Sequence, residues 1–86
     1  GMDIAYSRCF LKSASRLPKR IIELADRKEV LFRADPFHPS LETHKLHGKD
    51  KGAWGFSVDR KYRIKFLFLE NNRILFLDIG LHDIYQ

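Results

Sequence analysis

The chain has 86 residues, 44% hydrophobic and 13% aromatic, which is the length of one domain with enough apolar surface to fold rather than remain disordered. Sixteen Lys and Arg against eleven Asp and Glu leave a formal charge of +5 spread along the chain, which favours a polyanionic partner. A single cysteine, Cys9, excludes an internal disulfide, and no apolar run approaches the roughly 20 residues that cross a bilayer, so the expectation is a cytoplasmic protein with no membrane association.

Gly1 before Met2 reads as a scar of tag removal, which leaves residues 2–86 as the domain. Asp3 to Tyr6 is a short stretch that opens as an edge strand, and Ser7 offers an N-cap for a helix beginning at Arg8. Phe10, Leu11, Ala14 and Leu17 fall at helical spacing, and Pro18 then suits the first turn of a second helix running toward Phe32. That helix is amphipathic, with Ile21, Leu24, Ala25 and Leu31 or Phe32 on one side and Arg20, Glu23 and Arg27 on another.

From Ala34 to Gly52 the pattern breaks: Asp35-Pro36 and His38-Pro39 forbid continued helix, and Gly48 to Gly52 reads as loop. Three of the four histidines, His38, His44 and His47, lie in this long irregular segment, the kind that is usually functional or mobile. The rest reads as a meander of strands. Trp54, Phe56 and Val58 alternate with polar or small residues. Tyr62, Ile64, Phe66 and Phe68 alternate with Arg63, Lys65, Leu67 and Leu69, Asn71-Asn72 is a hairpin turn, and Ile74 to Ile79 is an apolar strand inside the sheet that ends at Gly80. Helices first and strands second predict an α+β fold, two N-terminal helices packed on a four-stranded, mainly antiparallel sheet.

Arg63 and Lys65 lie two apart on one strand and so share a face, opposite Ile64 and Phe66. That face is either an ordinary solvated surface or a phosphate cradle in which the arginine fork holds two oxygens at once. Metal-free RNA cleavage needs a base for the ribose 2′-OH, an acid for the leaving 5′ oxygen and positive charge on the phosphate. His44, entering the sheet, and His82, after the last strand, can supply the first two, although either is equally a surface histidine. The spacing of His38, His44 and His47 is weak support for a metal: one Cys and no acidic cluster leave a tetrahedral shell incomplete, and no cofactor is expected.

Leu46-His47-Gly48, Lys51-Gly52-Ala53-Trp54, Tyr62-Arg63-Ile64 and Leu77-Asp78-Ile79-Gly80-Leu81-His82-Asp83, in that order and spacing, resemble the RelE/ParE toxin superfamily, nearest its YafQ and YoeB-like branch, over essentially the whole chain. The resemblance implies the toxin of a type II toxin–antitoxin pair: a ribosome-dependent mRNA endonuclease that cuts the A-site codon without a metal and leaves a cyclic phosphate. Its partners would be the ribosome, mRNA and a masking antitoxin with which it forms a hetero-oligomer. Residue by residue, the resemblance implies His44 as general base, Arg63 on the phosphate, His82 as the histidine of the terminal segment and Tyr85 as the aromatic near the C-terminus. It also makes Lys45, Lys49, Lys51, Arg60, Lys65 and Arg73 candidates for RNA contacts. The chain departs from the YafQ pattern at Ser57 and Lys61, where that branch has a further His and an Asp. Two other readings stand beside the nuclease: a ParE-like gyrase inhibitor without nuclease activity, and a catalytically degenerate binding member.

Overall fold

The computed structural model describes residues 2–81. Strand β1 (Asp3–Tyr6) leads into helices α1 (Arg8–Ala14) and α2 (Lys19–Ala34); β2 (His44–Lys45), β3 (Trp54–Ser57), β4 (Tyr62–Phe68) and β5 (Arg73–Leu81) follow, with one-turn 3₁₀ helices at Pro39–Leu41 and Gly48–Asp50. The Ser7 hydroxyl caps α1 by accepting from the Phe10 N–H at 2.9 Å, as the sequence leads one to expect.

The α+β order holds, but the sheet has five strands, in the order β1-β5-β4-β3-β2, and its β1–β5 pair is parallel. The strand absent from the expectation is β2. At two residues it is too short to show an alternating pattern, and its existence rests on pairing His44 with Gly55 and Lys45 with Trp54. β5 is also longer than expected, because Gly80 does not end it but pairs with Arg63.

Phe32 of α2 is fully buried and sits among one phenylalanine from each of three strands. It stacks on Phe56 of β3 at 4.8 Å between ring centroids and meets Phe66 of β4 and Phe76 of β5 edge-on at 4.9 and 5.7 Å. That insertion pins α2 across the middle of the sheet, while Phe10 of α1 packs on Phe76 at 5.5 Å. Both helices therefore cover one face.

A β-bulge lets β5 serve this core along its whole length. Lys65 pairs with Asp78 but Phe66 pairs with Phe76, so Leu77 is an extra residue on β5. Strict alternation from Ile74 and Phe76 would turn Ile79 away from the helices; the extra residue restores it, and all three are buried. The Leu77 carbonyl accepts the Ser7 hydroxyl at 2.7 Å, which ties the start of α1 to the bulge. The β4–β5 hairpin turns at Asn71 and Asn72, whose φ values of 60° and 59° are those of the expected tight turn.

Candidate functional site

With the helices on one side, the other face of the sheet displays the alternate residues of β3 and β4. Arg63 lies between Ser57 on β3 and Gly80 on β5, and one row along, Lys65 lies between Gly55 and Asp78. Gly55 in turn pairs with His44 on the edge strand, so His44 and the two cations belong to one face, spread over two strand spacings, about 10 Å.

Each of these side chains is held. The Arg63 guanidinium donates through Nη1 to the hydroxyl of Ser57, which is only 5% exposed, and that hydroxyl donates to Oε1 of Glu42 at 3.1 Å. Glu42 reaches this position from a left-handed backbone conformation, φ 51°, immediately after the Pro39–Leu41 turn. The result is a charge-assisted chain, Arg63 to Ser57 to Glu42, that fixes one edge of a five-donor fork, a planar group whose geometry matches phosphate oxygens.

His44 is oriented by the same loop. Its Nδ1 lies 2.9 Å from the Glu42 carbonyl oxygen, and a carbonyl can only accept, so Nδ1 carries the hydrogen of this bond. In the neutral ring the lone pair then sits on Nε2, the outward nitrogen, which is the tautomer a general base requires. His44 is exposed, so substrate can reach it.

Lys65 is engaged differently. Its ammonium pairs with Asp50 at 3.1 Å, both side chains being about four-fifths or more buried (21% and 14% exposed), so it clamps the Gly48–Asp50 turn onto the open face. Lys45 lies on the opposite side of β2, its Nζ 5.6 Å from the Trp54 ring centroid. Lys49, Lys51 and Arg60 are exposed on the flanking turns. Arg73 is not brought to the site: it pairs with Asp3 at the far end of β5, roughly 23 Å along the strand from Gly80, and donates to the Glu70 carbonyl. His82 and Tyr85 lie outside the described residues.

Two residues that organise the site gave no usable signal in the sequence. Glu42 sits in what reads as featureless loop, and only its φ and its bond to Ser57 reveal it. Ser57 stands out only as a departure from the YafQ pattern, although counting back across the β3–β4 turn places it opposite Arg63. His38 and His47 do not join His44: His38 caps the 3₁₀ turn by accepting from the Ser40 N–H, and among the described residues no group of three His, Cys, Asp or Glu side chains could hold a metal ion.

No protein-family model and no curated protein matches this sequence. The backbone, however, superposes on YafQ from E. coli strain BL21(DE3) with a TM-score of 0.79 at 20% identity, covering 98% of this chain and 97% of that one. A YoeB/ParE toxin from Agrobacterium tumefaciens gives 0.77 at 15% identity over 94% and 99%, and the YafQ toxin complex with DinJ from E. coli gives 0.77 at 22% identity over 96% and 94%. The chain has the RelE/ParE toxin fold. At such identities the likeness lies in the backbone path, which is shared over nearly the whole length of both chains.

Proposed function

We propose that the protein is the toxin of a type II toxin–antitoxin pair and acts as a ribosome-dependent endoribonuclease on mRNA. The observation that carries this reading is the pairing of a phosphate-suited arginine, Arg63, with a base-competent tautomer of His44 on the open face of a RelE/ParE fold.

In this reading Arg63 holds the non-bridging oxygens of the scissile phosphodiester and stabilises the charge that grows on them. Nε2 of His44 takes the proton of the ribose 2′-OH as O2′ attacks phosphorus. The P–O5′ bond breaks, and the leaving oxygen receives a proton from His82, which follows directly on the last residue of β5, Leu81. The products are a 2′,3′-cyclic phosphate and a 5′-OH, and nothing in the balance requires a further reagent. An antitoxin partner is supported by the neighbours of this fold that were solved in complex, among them DinJ–YafQ and an archaeal RelE–RelB complex.

The test is cleavage mapping on programmed ribosomes with wild type, His44→Gln and Arg63→Ala. Cuts in the A-site codon that vanish in both variants are expected. Intact message together with inhibited supercoiling by gyrase would replace this reading with a ParE-like one.

A further inference from the structure

Two grooves among the described residues differ in sign. The one between α1 and α2 is apolar, lined by Phe10, Leu11 and Leu17, and carries the carboxylates of Asp26 and Glu29, which repel a polyanion. The other, a groove of about 390 Å³ under the β2–β3 connection, is lined by Lys45, His47, Lys51, Gly52 and Trp54 with Leu46 and Ala53, and contributes cations without any acid. The one carboxylate of that connection, Asp50, is held by Lys65.

Trp54 is the sole tryptophan of the chain and is held as a platform. Phe68 meets it edge-on at 5.2 Å and Phe37 at 5.6 Å, and these two rings stack on each other at 5.9 Å. Phe37 is 55% exposed and Phe68 38%, while Trp54, partly buried, is the member of this cluster that lines the basic groove. An ammonium on a flexible stem, Lys45, covers the indole at 5.6 Å. Aromatic surface reached by solvent and flanked by cations is the combination that single-stranded nucleic acid uses: a base stacks on the ring while Lys side chains follow the phosphates.

We infer that Trp54 floors a nucleobase-stacking subsite for single-stranded RNA, with Lys45 and Lys51 on the adjoining phosphates and His47 at its rim. The inference rests on the nuclease reading only for the choice of RNA. Lys45 swings from the indole to a phosphate as a base takes its place, and the subsite lies behind the edge strand that carries His44, so it holds nucleotides beyond the scissile one. The rate of the chemical step is set elsewhere.

The experiment uses the purified protein without ribosomes and reads the fluorescence of Trp54 as a short oligouridylate is added. Stacking quenches it; the same backbone without bases does not. In anisotropy titrations with a labelled oligouridylate, Trp54→Ala is expected to weaken binding about 5- to 150-fold, while Trp54→Phe, which keeps an aromatic face and the packing, retains most of it. Lys45→Ala and Lys51→Ala each reduce the slope of log affinity against log salt by about 0.7. Quenching that persists when A-site cleavage fails would retain the subsite and remove the nuclease reading. Equal quenching by the abasic strand, no quenching at all, or quenching that follows protein concentration alone would overturn the subsite.

Discussion

Replacing Ser57 by Ala removes one oxygen from a buried position and leaves the packing of β3 unchanged. In the wild type that oxygen accepts from Arg63 and donates to Glu42 at 3.1 Å. Hydrogen bonds to charged partners contribute about 1.5–3 kcal/mol each. Glu42 is exposed and Arg63 only half-buried, so water restores part of both bonds, and a net loss of about 1.5 kcal/mol is expected. For a domain of this size that lowers the midpoint of thermal unfolding by about 6–12 °C, measurable by circular dichroism. The functional loss should exceed the loss in stability, because a guanidinium displaced by about 1 Å costs up to roughly 100-fold in rate. Single-turnover cleavage on ribosomes, at a temperature where both proteins are folded, separates the two effects. Glu42→Gln, which keeps the accepting oxygen, should retain most of the rate. An unchanged midpoint together with an unchanged rate would refute the relay from Arg63 through Ser57 to Glu42.

Other expectations follow from the same structure. Phe32→Ala empties the centre of the four-phenylalanine cluster and should cost about 3–5 kcal/mol in urea unfolding, a large part of the stability of so small a domain. Asn71→Ala should cost about 1–2 kcal/mol, because its φ of 60° suits Asn or Gly, whereas Asn71→Gly should not. Partial burial pushes the Asp59 carboxyl up, but the N–H groups of Tyr62 and Lys61, at 2.7 and 2.8 Å, and the charge of Arg20 outweigh it and hold the group below its ordinary value. The folded state therefore binds this proton less readily than the unfolded chain, and the stabilisation, fully present above an ordinary carboxylate pKa of about 3.9, is lost as pH falls through that value toward the folded one. Urea midpoints at pH 5 and pH 3 should accordingly fall further for wild type than for Asp59→Asn.

The helices were legible because their signals are local: Ser7 as a cap, Pro18 in a first turn and apolar residues at a 3.6-residue period all act within a few residues. β4 was legible for the same reason, and its alternation placed Arg63 and Lys65 on one face correctly. What escaped were features that only distant contacts create. β2 exists because two residues find Trp54 and Gly55, and the bulge at Leu77 is hidden in a run where nearly every residue is apolar and alternation cannot be read. The same limit hid the organisation of the site. Arg63 and His44 were visible by type and family spacing, but the loop that orients both does so through Glu42, whose backbone conformation and bond to Ser57 are properties of the folded chain.

In the proposed reaction O2′ is the nucleophile, activated by His44 while Arg63 holds the phosphate. End-group analysis of message cut on programmed ribosomes tests it most directly. Wild type is expected to leave 5′-OH ends and 2′,3′-cyclic phosphates, and both are expected to be lost together in His44→Gln and Arg63→Ala. Ends bearing a 5′-phosphate, or cyclic phosphates still formed at the wild-type rate by both variants, would contradict it.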